Sequence, residues 1–404
     1  MRNGLRAASL CLCLQASLGF SSAAAAADVA HWKDFSVALG GDFSASVAAG
    51  DNGWFNQTEY GESLMHLFAA SATAEIRATD RFAILAEVRS DNLAQPNFYA
   101  LYLRVRPWRQ RAVDVQLGRI PPVFGTFARR LYAADNPLIG YPLAYQYLTT
   151  LRADAVPASA DQMIAQRGSG WDVVYPVGSS YAGPGLPVVS GLRWDTGVEA
   201  RLGDVSRGKI EGAVAVTQGT LSYPLTSDSN GGKQVSARVA FRPTFGTVLG
   251  VSGASGPYLS REVTSLVPGG PMSFRQRALG ADAQWSRGYW VVQAESIYSQ
   301  WDMPVIARPA ISSPLRVLAT FVEARYKIRP GLYSAVRVDH MGMSRITGFQ
   351  GPETWDAPVT RVEGGFGFSP CHGVWLKATY QHDWRDGGFI RSQGVGALQA
   401  TYGF

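Results

Sequence analysis

The sequence predicts an all-β protein, a transmembrane antiparallel β-barrel of about sixteen strands. Three observations predict it. Apolar and polar residues alternate at period two from residue 33 onward, the connections alternate between short and long, and the chain ends on a strand whose last residue is an aromatic, Phe404.

The opening thirty residues, "MRNGLRAASLCLCLQASLGFSSAAAAADVA", stand apart from this pattern. Arg2 and Arg6 precede an uncharged stretch that runs to Ala27, with small residues at Ala25, Ala26 and Ala27. That three-part layout is expected of a secretory signal peptide over 1–27, cleaved before Asp28, with 28–404 as the barrel domain. Cys11 and Cys13 leave with it, so Cys371 remains alone and no internal disulfide holds the exported chain. Charged residues are 17% and mean hydropathy is −0.03, values that exclude disorder and a helical membrane protein alike. No later stretch approaches the roughly 18–20 apolar residues of a spanning helix. The net charge of +6 is slight and dispersed, which excludes a nucleic-acid partner.

Half-buried strands explain the alternation that follows. In "QVSARVAFR", residues 234–242, Val235, Ala237, Val239 and Phe241 share one face, and Gln234, Ser236, Arg238 and Arg242 share the other. The same rhythm places strands near 33–49, 62–78, 81–90, 96–106, 112–119, 193–203, 208–218 and 233–242. It continues through 246–256, 275–286, 289–302, 315–327, 331–342, 359–369, 374–385 and 393–404, with short helical turns expected only within 142–167. Tight turns fall at Thr79-Asp80, Gly203-Asp204, Pro243-Thr244, Arg287-Gly288, Arg329-Pro330-Gly331 and Pro370-Cys371-His372-Gly373, while 219–232, 257–274, 303–314 and 343–358 are long. A soluble sandwich has no reason to sort its loops by parity. An outer-membrane barrel does, with brief turns in the periplasm and long loops outside.

An open strand edge within lipid leaves backbone groups unsatisfied at several kcal/mol each, so the last strand must close on the first. Its aromatic end resembles the signal read by the barrel assembly machinery of Gram-negative bacteria, which that resemblance makes a partner through Phe404. Outer-membrane lipid is the second partner. Outward rings are expected at both rims: Phe241, Trp285, Trp290, Tyr326 and Phe368 on the turn side, Trp194, Tyr298 and Trp384 on the loop side.

The opposite parity gives the lumen. Arg77, Arg89, Arg104, Arg106, Glu199, Arg238, Arg325, Arg337 and Arg361 point inward, with Glu75, Asp114, Arg193, Glu323 and Glu363 among others. A barrel of this size leaves water inside rather than a packed core, so the expectation is a charge-lined diffusion channel for small hydrophilic solutes or ions. One connection is much longer than the rest. It spans 120–192, opens "LGRIPPVFGTFARRLYAADNPLIGYPLAYQYL", and is expected to fold toward the pore. Arg119, Arg129, Arg130, Arg152 and Arg167 would make a basic constriction, nearly balanced by Asp135, Asp154, Asp161 and Asp172, so the lean is toward a weak anion preference or none. Tyr132, Tyr141, Tyr145 and Tyr147 either form a stacking slide for a sugar or pack the loop against the wall.

Signal peptide, strand count and long third loop together resemble the sixteen-stranded porin superfamily of the Gram-negative outer membrane. "LGRIPPVFG", residues 117–125, faintly resembles the phosphate-selective porin O and P family, whose pore lysines this mature chain largely lacks. The resemblance implies no cofactor, no metal and often a homotrimer, for which Ala45, Val47, Ala70, Ala72 and Ala74 would supply a contact wall. A non-conducting structural or adhesive barrel is the alternative, and an outer-membrane hydrolase a lesser one. Asp339-His340 and His382-Asp383 are neighbours within strands, so each pair points to opposite faces and makes no catalytic dyad.

Overall fold

The computed structural model describes residues 27–32, 35–58, 62–108, 112–191, 194–204 and 208–404; residues 1–26 of the expected signal peptide and Arg193 lie outside them. Sixteen antiparallel strands form one closed sheet. They are β1 Phe35–Ala49, β2 Phe68–Thr79, β3 Phe82–Asp91, β4 Asn97–Val105, β5 Val113–Ile120, β6 Asp195–Gly203, β7 Ile210–Thr217 and β8 Gln234–Phe241. Then come β9 Thr247–Pro257, β10 Arg275–Arg287, β11 Trp290–Trp301, β12 Leu315–Arg329, β13 Leu332–Met343, β14 Val359–Phe368, β15 Val374–Arg385 and β16 Ser392–Gly403. All sixteen coincide with the segments that alternation marks. β16 closes the ring against β1, from Asp42 opposite Gly403 to Ala49 opposite Gly396.

The closure is staggered, as strand tilt requires. Below the point where Gly41 and Phe404 exchange both backbone bonds at 3.1 Å, the chain brings Ala27–Trp32 alongside Phe35–Leu39. The start of β1 therefore finds a neighbour where the last strand has ended. Tight turns need left-handed backbone: Gly373, at φ 78°, returns the chain into β15. A Cβ there would fall 2.4 Å from the Gly403 carbonyl, while the Gly373 carbonyl itself accepts the Gly403 N–H at 2.8 Å.

The outer wall is apolar. Val47, Leu279, Val251, Leu398 and Leu318 all stand exposed, and the last three of them lie between buried neighbours. That belt, on a closed barrel, places the chain in the bacterial outer membrane. Trp285, Trp290, Phe241, Phe368, Tyr298 and Trp384 are exposed rim rings as expected, and Trp290 packs on Tyr326 at 4.7 Å between centroids. Trp194 corrects the expectation. It is buried, tilted against Tyr99 at 5.2 Å and Tyr102 at 6.4 Å, because the residue just before β6 turns into the bore to cover the apolar ends of β4 and β5.

Candidate functional site: the bore and its third loop

The chain from Pro121 to Gly191 leaves the loop end of β5 and folds into the barrel, carrying short helices at Leu143–Gln146 and Ala160–Ala165. Its apolar residues build a core inside the bore. Phe127, Tyr145, Leu151, Val156 and Met163 pack with Trp301, Phe321, Met341 and Val359, which the wall of β11–β14 turns inward. Phe127 is the hinge of this packing, meeting Tyr145 at 5.2 Å and Phe321 edge-on at 5.8 Å.

Inward charges of the wall hold the loop backbone. Glu295 on β11 accepts the Thr126 N–H at 3.0 Å and the Tyr145 hydroxyl at 2.8 Å. Arg130 donates to Glu323 on β12 at 2.8 Å and to Gln293 on β11. Arg337 on β13 donates to the Gly140 carbonyl at 2.7 Å, and Glu363 on β14 accepts the N–H groups of Ile139 and Gly140 at 3.1 and 2.9 Å. Lys377 on β15 gives its ammonium to the carbonyls of Ala133, Asn136 (2.6 Å) and Leu138 (3.3 Å). Arg361, pinned by Asp383 at 2.7 Å, reaches the Tyr141 carbonyl at 3.0 Å and the Phe55 carbonyl of the first loop at 2.8 Å. On the far wall Tyr132 donates to Glu87 of β3 at 2.6 Å. Buried polar groups of this kind persist only when each finds a partner, which is why the charges sit where the loop's carbonyls and N–H groups arrive.

This arrangement fills the bore at mid-depth. Inward side chains there are buried all round the ring, among them Ser46, Glu87, Glu199, Arg238, Arg337 and Gln399. Sequence reasoning expects water against these groups; the structure puts the loop there. Arg337 and Arg361 have no exposed surface at all. Nearer the turns the lining opens. Arg77 and Arg106 are substantially exposed, Arg325 is exposed, and Arg104 bonds Glu75 at 2.7 Å with Asp114 beside both Arg104 and Arg106. Glu199 and Arg238 lie in buried pairs with Arg201 and Asp282.

The loop arginines do not gather into one constriction. Arg119 lies opposite the outward-facing Leu101 and donates to the carbonyls of Phe98 and Trp194 at 3.0 Å for the latter, so it belongs to the barrel rim rather than the bore. Arg152 is buried within the loop against Asp154 at 2.8 Å and the Tyr181 carbonyl at 2.7 Å. Asp135 is half-buried in the loop, and the side chain of Arg129 is outside the described residues. Tyr141, Tyr145 and Tyr147 are buried, which favours packing over a sugar slide. The residues that sequence reasoning passed over are Asp356 and the first loop. The Asp356 carboxylate, beyond β13, accepts N–H groups from Thr150, Gly168 and Ala357 at 2.9, 2.8 and 2.7 Å. Burial pushes this carboxyl up to about 6 despite those donors. The first loop buries Phe55 and Asn56, the latter accepting from Gln381 at 3.0 Å. Nothing in local periodicity marks either.

The loop leaves small cavities against the wall. Against β16, β1 and β3 a small cavity remains between Asn136, Ile139 and Tyr141 of the loop and Ser44, Ser46, Arg89 and Gln399 of the wall. Arg89 Nε, Gln399 Oε1 and Thr401 Oγ are buried polar atoms without a bonded partner.

A closed antiparallel sixteen-stranded barrel with an apolar outer belt, short turns and an infolded third loop has the architecture of an outer-membrane porin-type barrel. No protein-family model matches the sequence, and no curated protein matches it. Solved structures do share the fold. OmpF of Salmonella typhi, in complex with daunomycin, aligns over 92% of this chain and 98% of its own at a TM-score of 0.56 and 10% identity. The anion-selective porin from Comamonas acidovorans aligns over 92% and 100% at 0.56 and 10%. OmpT, an outer membrane protein of Vibrio cholerae, aligns over 94% and 100% at 0.54 and 11%.

Proposed function

We propose that the protein is a porin-type channel for small hydrophilic solutes or ions, held nearly closed by its third loop, and not an enzyme. The observation that supports this reading best is the polar seam between loop and wall at Ser44, Ser46, Arg89 and Gln399. There the bore keeps unbonded hydrogen-bonding groups beside unfilled space between loop and wall. A solute following that seam meets Arg89 and then the turn-side arginines Arg77, Arg104 and Arg106, an order that favours small anions modestly. Phe404, stacked on Phe43 at 6.2 Å and on Tyr402 at 6.1 Å, presents the terminal ring on the outer face, where assembly machinery would read it. Ala45, Val47 and Ala72, exposed on the outer wall, suit a homotrimer contact.

A second reading, a non-conducting structural barrel, is favoured by the burial of inward side chains at mid-depth. Planar-bilayer recording on the refolded barrel separates the two. Small, stepwise conductance with a reversal potential displaced toward the anion is expected. Silence from both the native chain and a chain with 125–146 replaced by a short Gly/Ser linker would sink the channel reading.

A further inference from the structure

The third loop is gripped at two levels, and only the lower grip belongs to the barrel wall. At mid-depth the inward charges of β11–β14 hold residues 126–141. Above them, the loop's helix Ala160–Ala165 and the residues flanking it are held by three other connections. Between β11 and β12, the Pro309 carbonyl accepts the Ala160 N–H at 2.8 Å, and the Ala307 N–H donates to the Ala158 carbonyl at 2.9 Å. Between β13 and β14, the Phe349 N–H donates to Asp161 at 3.0 Å, Glu353 pairs with Arg167 at 3.1 Å, and Asp356 accepts from Gly168. Between β15 and β16, the Asp386 carbonyl accepts from Arg167 at 2.8 Å. The two levels form one packed body. Met163 of the helix is buried in the same core as Phe127 and Tyr145, and Ile346 of the β13–β14 connection joins it. A close-packed interior transmits displacement, so neither level moves far without the other.

Part of the upper grip is a small lid. Arg345–Gly348 pairs with Gly351–Thr354 as a hairpin outside the barrel sheet. Its base is fixed. The Trp355 N–H donates to the Ser344 carbonyl at 3.1 Å, and the fully buried Trp355 ring donates to the Arg316 carbonyl at 3.0 Å. Its far end lies on the helix: a Cβ on Gly348 would stand against Asp161 Oδ1 and 3.1 Å from Ile164 Cδ1. The Phe349 ring at the tip is exposed.

We propose that this hairpin is an outer catch on the third loop, an inference that rests on the channel reading. While it lies on Ala160–Ala165 the bore stays plugged; lifted about Ser344 and Trp355, it frees the loop to move outward as one unit. The catch is built to lift. A two-stranded hairpin is marginal on its own, and Glu353 is more than half exposed, so its ion pair with Arg167 adds little. The firm ties are the Asp161 bond and the packing of Ile346, whereas the wall grips the loop through buried charge.

Two variants test this in opposite directions, each barrel verified folded by its heat-modifiable gel mobility. Replacing 345–354 by one glycine joins Ser344 to Trp355 where their backbones already meet, leaving β13 and β14 intact. This lidless barrel is expected to conduct several-fold more than the native one, and amides of 126–146 should exchange about tenfold faster by hydrogen-exchange mass spectrometry. Asp161→Cys/Gly348→Cys in a Cys371→Ser barrel locks the catch by a disulfide; it should conduct less when oxidised and recover on reduction. Faster exchange confined to 158–168, or equal conductance of the oxidised and reduced lock, would overturn the proposal. A 125–146 linker barrel that conducts, beside a lidless one no more conductive than native, would sink the catch and leave the channel reading standing. A silent linker barrel would sink the channel reading, and the exchange rates would still decide whether the hairpin holds the loop.

Discussion

Replacing Glu363 by alanine isolates the worth of the loop's attachment to the wall. One carboxylate oxygen accepts the N–H groups of Ile139 and Gly140, and the other lies 3.2 Å from Arg337; neither side chain has any exposed surface. Removing one member of a buried ion pair costs about 3–5 kcal/mol, and each buried N–H left without an acceptor about 1–3 more. Arg337 keeps Glu323 at 3.8 Å and Asp339 at 3.9 Å, which offsets much of the first cost. A net loss of about 4 kcal/mol for the docked loop follows, or roughly a thousandfold in the undocked-to-docked ratio. The strand ladder is untouched, because β14 stays paired to β13 and β15 through its backbone. The variant should therefore keep the mobility of a folded barrel, become cleavable by trypsin after Arg130, and conduct several-fold more than the native chain. Glu363→Gln, which keeps one acceptor oxygen, should fall between. A folded Glu363→Ala barrel with native protease resistance and native conductance would refute the reasoning.

Tyr132→Phe removes the hydroxyl donor that ties the loop to Glu87, a fully buried carboxyl, so the far side of the loop should exchange its amide hydrogens faster by about one to two orders of magnitude, read by hydrogen-exchange mass spectrometry. Asp356 gives a pH signature. Its folded carboxyl titrates near 6, above the usual value of about 4, so the docked loop takes up a proton that the released loop does not. Stability from this group is full below about pH 4 and declines as pH rises to 6, by up to about a hundredfold in the docking ratio. Protease resistance measured from pH 4 to 7 should fall accordingly in the native chain, and Asp356→Asn should flatten that slope. Arg77→Gln with Arg104→Gln should move the reversal potential toward the cation, and an unchanged potential would remove the turn-side arginines from selectivity.

The strands were legible because lipid enforces a one-bit rule. A residue faces either acyl chains or the interior, and a charge on the wrong face costs about 2–4 kcal/mol at mid-depth, so parity survives in sequence. Arg337 beside Val336 and Val338, or Lys377 beside Leu376 and Ala378, can be assigned by that rule alone. Loop lengths were legible for a related reason, since only one side of the barrel is built from tight turns.

What parity cannot carry is the identity of the thing opposite. On β12, Leu315, Val317, Ala319 and Phe321 face the bore and are buried, while Leu318 and Val322 face lipid and are exposed. Both faces read as apolar, so the stretch looks like any lipid-facing strand, and nothing in it announces that half of it is the floor of a packed core. The charges mislead in the complementary way. Arg361 and Glu363 have the pattern expected of a wet pore, yet each is dry, because a buried carbonyl or N–H of a distant loop meets it as water would. Inward charge therefore signals demand for hydrogen bonds, not the presence of solvent. Whether a barrel conducts depends on what satisfies that demand. Here loop groups such as Gly140, Tyr141 and Thr126 meet part of it, while buried atoms of Arg89, Arg238, Asp339 and Gln399 keep unbonded hydrogen-bonding capacity.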